Sequence, residues 1–160
     1  MDETEPFETN YAGAIYGTIL SMAVISASSK DPELGAVAVA GWAVVTALVF
    51  FLAHVYSSIV AAGFARPTKA TGLVRSASRK EWPMVQGALV PAAAMLLAPL
   101  GLVSEENASD IAVSTGVLVL VGAGLVIGRT EQLGLGRSMI IGSVNGAIGL
   151  LIVALKVSVH

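Results

Sequence analysis

The chain has 160 residues, of which 55% are hydrophobic and 12% are charged, with a formal net charge of -2 and no cysteine. A soluble domain carries about 25% charged residues, so this chain has too few to cover a globular surface. The absence of cysteine excludes disulfides, thiolate nucleophiles and zinc–thiolate sites. The balance of charges is not that of a nucleic-acid-binding protein. With a mean hydropathy of +0.80, the composition predicts an all-α, polytopic transmembrane helical bundle.

The N-terminal residues 1–10 are acidic and lack the basic start of a secretory signal. We expect them to form a cytoplasmic tail, followed by a single transmembrane domain over residues 11–158. That domain contains five apolar segments, each near or above the roughly 20 residues that a spanning helix needs. The predicted spans are 11–29, 34–65, 84–103, 111–127 and 138–157.

The first two segments are joined by the tight link Lys30–Glu33, where Asp31 could cap the second helix and Pro32 suits its first position. The second segment has 32 residues, which reach about 48 Å as a helix against a hydrocarbon core of about 30 Å. It must therefore tilt, bend or extend beyond the bilayer. Arg66-Pro67 should end it, because the residue before proline avoids the α region.

The link 66–81 is the most basic part of the chain. One interpretation is a solvated cytoplasmic loop whose charges determine orientation, and the other is a surface for anionic lipid head groups. The head-group candidates are Arg66, Lys69, Arg75, Arg79 and Lys80.

The third segment contains Pro91 and Pro99. Pro91 has no N–H to donate to the carbonyl of Gly87, so a kink is expected there. Within a membrane the freed carbonyl must be satisfied by a neighbouring helix or by water.

Lysine and arginine predict the orientation. With five spans and the N-terminus inside, the links 66–81 and 128–137 are cytoplasmic and hold seven of the nine basic residues. Basic residues favour the cytoplasmic side. We therefore expect a multi-pass protein of the cell membrane, with its N-terminus in the cytoplasm and its C-terminus outside.

Small residues recur every fourth position in two segments, a spacing that lets helices approach closely. In the first segment they are a candidate contact face, within the chain or between protomers. The helix-packing candidates are Gly13, Gly17, Ser21, Gly142 and Gly146.

The candidate polar site inside the membrane centres on His54. A structural interpretation is a neutral imidazole bonded to the Tyr16 hydroxyl or to a backbone carbonyl, and a functional one is a proton-responsive group in a hydrated cavity. Asn145 could join helices by hydrogen bonds or line an ion or substrate path. The full candidate set is His54, Tyr16, Ser57, Ser58 and Asn145.

Two stretches, Tyr16-Gly17-Thr18-Ile19 and Phe51-Leu52-Ala53-His54-Val55-Tyr56, resemble small multi-spanning integral membrane proteins of bacteria that are functionally uncharacterised. The resemblance covers only the first two spans and implies no site or activity.

We expect no enzyme, because the chain has no nucleophile–base pair, paired acids, metal site or cofactor motif that can be defended from sequence. The favoured function is an oligomeric channel or transporter for a small ion or solute. The alternative is a non-transporting accessory or scaffold subunit of a larger membrane complex. The expected partners are the lipid bilayer and either further copies of the chain or that complex.

Overall fold

The computed structural model describes residues 11–28, 31, 33–62, 70–132 and 134–158. Five helices account for most of these residues: α1 (Tyr11–Ser28), α2 (Ala36–Ala62), α3 (Ala70–Met95), α4 (Glu105–Thr130) and α5 (Leu135–Ser158). The all-α prediction is confirmed. The acidic tail predicted over residues 1–10, and the head-group candidates Arg66 and Lys69, lie outside the described residues.

Four of the helices are long and apolar enough to cross a membrane: α1, α2, α4 and, over Gly136–Ala154, α5. Their outward faces carry large apolar side chains, such as Leu118 at 72% and Leu52 at 63% exposure. Contiguous exposed apolar surface of this kind is unfavourable in water and favourable in lipid. The protein is therefore a membrane-embedded helical bundle.

The boundaries of α1 agree with the predicted span to within one residue. Helix α2 begins at Ala36, two residues after the predicted start, and has 27 residues, about 40 Å; the predicted end at residue 65 lies outside the described residues. Its capping also differs from the prediction. The first N–H of α2, on Ala36, donates to Oε2 of Glu105 on α4 at 2.9 Å, whereas Asp31 accepts from the N–H of Glu33 at 3.0 Å.

Helix α3 corrects two predictions. It begins at Ala70, so the described part of the predicted loop 66–81 is helical and continuous with the apolar segment. It ends at Met95 and not at Val103, and turns follow from Leu96 to Gly101. Pro99 explains this end, because it has no N–H for the carbonyl of Met95 and its ring would crowd that oxygen.

The last two helices are longer than predicted and their links are shorter. The expected acidic link before residue 111 contains the first turns of α4, where Glu105 and Glu106 complement the positive end of the helix dipole. The expected turn 128–137 reduces to 131–134, because α4 continues to Thr130 and α5 begins at Leu135.

Helix α1 packs against each of the other four helices, whereas the described residues of α5 pack only against α4 and α1. The Ala36–Glu105 bond brings the N-termini of α2 and α4 to one end of the bundle, so successive helices alternate in direction. The core lies along α1 and is filled mainly by small or flexible side chains, among them Met22, Ile25, Ala43, Ala112 and Leu120, none of which is exposed.

Charge divides the bundle into two ends. We define the basic end as the one where α3 and α5 begin and α4 ends; its described basic residues are Arg75, Arg79, Lys80, Arg129 and Arg137. We define the acidic end as the opposite one; its described acids are Asp31, Glu33, Glu105, Glu106 and Asp110.

Candidate functional site

The site lies where α1, α2 and α3 meet, and the contact between α1 and α3 shapes it. Gly13, Gly17 and Ser21 are all buried on α1. A Cβ added at Gly17 would meet the carbonyl oxygen of Met84, and one added at Gly87 would meet that of Ala14. The two backbones therefore touch, and only glycine permits this approach.

A buried hydroxyl joins these two backbones. Thr18 is fully buried, and its Oγ1 lies 2.9 Å from the carbonyl of Ala14 in its own helix and 3.1 Å from that of Gly87 on α3. Gly87 stands four residues before Pro91, so its carbonyl has lost its helical partner. The prediction that a neighbour or water satisfies this carbonyl is confirmed, and the neighbour is Thr18.

A buried carboxyl group lies next to this contact. Glu81 of α3 is only 6% exposed, although residues 79 and 80 before it are exposed and basic. The Oγ of Ser58 on α2 donates to Oε1 of Glu81 at 3.1 Å. An acid is almost never this buried unless it is paired or functional, which makes Glu81 the most informative side chain of the site.

His54 lies one turn before Ser58 on α2 and is half-buried. Its Nδ1 is 2.9 Å from the carbonyl of Phe50 in the same helix. The ring packs at a tilt against Tyr16 of α1, with centroids 5.6 Å apart. The sequence predicted either the Tyr16 hydroxyl or a backbone carbonyl as the hydrogen-bond partner of His54. Nδ1 is bonded to the backbone carbonyl, and the Tyr16 ring packs against the imidazole ring.

Two relations determine the depth of these groups. Tyr16 packs against His54, and α1 begins at Tyr11, about 7.5 Å nearer the basic end. Ser58 lies about 6 Å beyond His54 in the same direction. Glu81, bonded to Ser58, is therefore near the level where the uncharged helix α1 begins, at the basic end of the bundle.

The remaining polar candidates are not gathered here. Ser57 is exposed on α2. Asn145 is on α5, which does not contact α2 in the described part of the chain, so it is not part of the site around His54. Gly142 and Gly146 are buried against α4, where a Cβ at Gly146 would lie 2.9 Å from a methyl of Val121.

The described head-group candidates Arg75, Arg79 and Lys80 are exposed on the first turns of α3. At the acidic end, an open cleft of about 500 Å³ lies between α4 and the turn before it. Its polar lining comes from Asn107, Asp110, Ser114 and Thr115. Within the described ranges no cluster of acids and histidines has the composition of a metal site.

Sequence reasoning missed Glu81 because it assigned this residue to a basic loop. A signal was present. Glu81 precedes Met84, Val85, Ala88 and Ala92 by three, four, seven and eleven residues, the spacing of one helical face, and all four are buried. Extending that face back by one turn, through Pro83, would have turned Glu81 inward.

Comparisons with protein-family models, with curated proteins and with solved structures find no match to this chain.

Proposed function

We propose that this chain is a multi-pass transport protein of the cell membrane that moves a small cation, in the simplest case a proton, and that Glu81 is the group that binds it. The observation that carries the proposal is the burial of the Glu81 carboxyl against Ser58. A carboxylate in a low-dielectric site is costly unless its charge is compensated. A proton or a small cation supplies that compensation, and its arrival and departure constitute transport through the site.

The neighbouring groups suit such a path. The Ser58 hydroxyl donates to the carboxylate oxygen and can accept in turn from an incoming ion's water. His54, one turn deeper on α2, is a second ionisable side chain on this side of the bundle, and histidine carries protons in intramembrane relays. Asp110 and Asn107, which line the cleft at the acidic end, would meet a cation on the opposite side.

In this proposal the apolar part of α3 and the turns after it, 84–103, form a fifth span beside the four apolar helices. The basic end faces the cytoplasm, because basic residues concentrate on that side of a membrane. The N-terminus is then inside and the C-terminus outside. Assembly with further copies, or within a larger membrane complex, would cover the apolar outer faces of α2 and α5.

The test is cation flux into liposomes that contain the purified chain, with a proton-sensitive dye inside and an imposed pH or potential gradient. Wild-type protein should conduct above empty liposomes. Glu81→Gln should abolish the flux, because the amide keeps a bond to Ser58 but carries no negative charge and takes up no proton. Glu131→Gln is the matched control, since Glu131 is an exposed acid at the same end of the bundle, and it should conduct like the wild type.

Absence of flux from correctly folded wild-type protein, for protons and for alkali cations alike, would overturn the proposal and favour the accessory or scaffold role. Flux that Glu81→Gln leaves intact would show transport by another route and would remove Glu81 from the mechanism.

His54→Gln tests the second group. If His54 relays protons, the variant should fold normally and lose the change in flux between about pH 5 and 8, the range in which histidine side chains change charge. A pH profile identical to that of the wild type would assign His54 a structural role only.

A further inference from the structure

The cleft of about 500 Å³ at the acidic end follows one face of α4. Helix α4 contributes lining residues at spacings of three, four and four positions, which are Asn107, Asp110, Ser114 and Leu118. This face extends about 16 Å from the first turn of α4 toward the middle of the helix. Leu102, from the segment after α3, lines the cleft on the other side. Leu102 and Leu118 are 68% and 72% exposed, so the cleft is open to lipid along its side and to water at its mouth.

The lining divides into hydrogen-bonding groups and apolar groups. The side chains of Asn107 and Ser114 make no hydrogen bond with the described residues, so their oxygens are available to a ligand. Asp110 already makes another interaction, but a carboxylate has about four acceptor sites and keeps capacity for more. Val103 and Ile111, both half-buried, add to the apolar surface. The cleft thus combines a few acceptors with apolar walls, as sites for small organic molecules do.

Charge at this end of the bundle favours a cation. Over the whole sequence, including the residues that the structure does not describe, the segments 29–35, 96–110 and 155–160 carry five acids and two lysines, a net charge of -3 with His160 neutral. The positive end of the α4 dipole amounts to about half an elementary charge. It is outweighed by three carboxylates in the first two turns of that helix, those of Glu105, Glu106 and Asp110. A cation is therefore attracted to the cleft and an anion is repelled.

We propose that the cleft binds an amphipathic organic cation that partitions into the leaflet at the acidic end. Its charged group lies at the level of Asp110, between the Asn107 amide and the Ser114 hydroxyl. Its apolar part lies against Leu102 and, deeper in the leaflet, against Leu118. This orientation is the one that an amphipathic molecule takes at a membrane surface, with its polar group toward water. Glu81 is at the opposite end of the bundle, so the proposal does not depend on transport through that residue.

An inorganic cation and a phospholipid fit the cleft less well. An inorganic cation requires a shell of oxygen ligands, whereas four of the eight lining residues are apolar, and within the described ranges no group of acids and histidines suits a metal. A phospholipid carries a phosphate beside any ammonium, and the carboxylates at this end repel that phosphate. A cation with an organic skeleton and no phosphate matches both parts of the lining.

The test uses single cysteines, because the chain has none of its own. Leu102→Cys places a thiol on the wall of the cleft. Leu100→Cys places one at a residue of similar exposure, 71%, outside the lining. The full chain is reconstituted in phosphatidylcholine nanodiscs, and its reaction with a neutral maleimide is followed as tetraphenylphosphonium is added. At about ten times its dissociation constant, this probe should slow the reaction at position 102 about tenfold, because the fraction of empty sites falls by that factor. The reaction at position 100 should not change.

Charge selectivity is tested with tetraphenylborate, which has the same shape and the opposite charge and should not protect position 102. In the Leu102→Cys protein, Asp110→Asn should raise the tetraphenylphosphonium concentration for half-protection about fivefold, the factor expected for opposite charges about 4 Å apart in water. Glu33→Gln is the matched control, since it removes an exposed acid from the same end but not from the cleft. It should change that concentration less than about twofold, because salt screens distant exposed charges.

Three results would each overturn the proposal. One is equal protection by tetraphenylborate, which would show that the cleft selects shape and not charge. Another is equal slowing at positions 100 and 102, which would assign the effect to the membrane. The third is full protection by phosphatidylethanolamine nanodiscs without the probe, which would identify a lipid ammonium as the occupant. None of these measurements involves flux, so they are distinguishable from a failure of the Glu81 proposal.

Discussion

The contact between α1 and α3 and the contact between α4 and α5 both pack glycine against the backbone of the neighbouring helix. In the first, Gly17 and Gly87 let the two backbones touch. In the second, Gly124 lies against the backbone of Gly142, and Gly128 lies against Ser138. Both pairs approach as closely as small residues in membrane helices permit.

The two contacts differ in their polar groups. Between α1 and α3, Thr18 bonds the carbonyl that Pro91 leaves unsatisfied, and Ser58 of the adjacent α2 bonds Glu81. On α5, by contrast, the buried Nδ2 of Asn145 has no hydrogen-bond partner among the described residues. The additional hydrogen bonds are found where a proline and a buried acid require them.

The largest expected effect is that of Gly17→Ala. Its methyl group would collide with the carbonyl oxygen of Met84, a backbone atom that no rotamer change can move. The free energy of unfolding should therefore fall by at least about 3 kcal/mol, the upper range for overpacking. The measurement is denaturation in detergent, followed by circular dichroism. Gly41→Ala is the control: nothing lies within 4 Å of its Cβ, and it should stabilise α2 by about 0.5–1 kcal/mol. Equal stabilities for the two variants would show that the backbones of α1 and α3 do not approach closely at Gly17.

A smaller effect is expected at the equivalent position of the other contact. Gly124→Ala also meets backbone atoms, those of Gly142 and Ile141. Helix α5 is at the edge of the bundle, however, and can move outward, so the cost should be about 1–3 kcal/mol. Gly122→Ala, on the same helix with open space at its Cβ, should cost nothing. A greater loss for Gly124→Ala than for Gly17→Ala would reverse the ranking of the two contacts.

Thr18→Val replaces the hydroxyl with a methyl group and so measures the contribution of the Thr18 hydrogen bond to the α1–α3 contact. The carbonyl of Gly87 would lose its partner in a buried site, and the cost should be about 1–2 kcal/mol in the same denaturation assay. Thr18→Ser keeps the hydroxyl and should retain most of the stability. If the valine variant is as stable as the serine variant, the Thr18 bond makes no net contribution.

The smallest effect is expected for Asn145→Leu. Because Nδ2 makes no hydrogen bond, replacing the amide with an apolar group of similar size should change stability by less than about 1 kcal/mol, or increase it. A loss above about 2 kcal/mol would contradict this and would support Asn145 as a hydrogen-bonding link between helices.

Hydrophobic segments predicted five helices in the order observed, and four of these helices are long and apolar enough to cross a bilayer, which requires about 20 apolar residues for each crossing. They failed at the boundaries of α3 and α4. The polar turns of both helices, Ala70 to Glu81 and Glu105 to Asp110, were interpreted as links because charge and hydropathy alone do not distinguish a polar helix from a polar loop.

The candidate site was predicted in part. His54 and Ser58 share a face of α2 by helical spacing, and the pairing of α1 with α2 as a hairpin placed Tyr16 at the depth of His54. Asn145 was grouped with them only because it is polar and intramembrane. The structure separates it, since α5 packs on the side of α1 and α4.

The sequence by itself determined a helical membrane bundle, the five helices in their order and the concentration of basic residues at one end, because each of these depends on composition and spacing within a single segment. Only the tertiary structure decided that Thr18 satisfies Gly87 and that Ser58 meets Glu81. Each of these bonds joins residues on different helices, 69 and 23 positions apart in the chain. Both bonds depend on how two helices pack against each other, and no pattern within one helix encodes that relation.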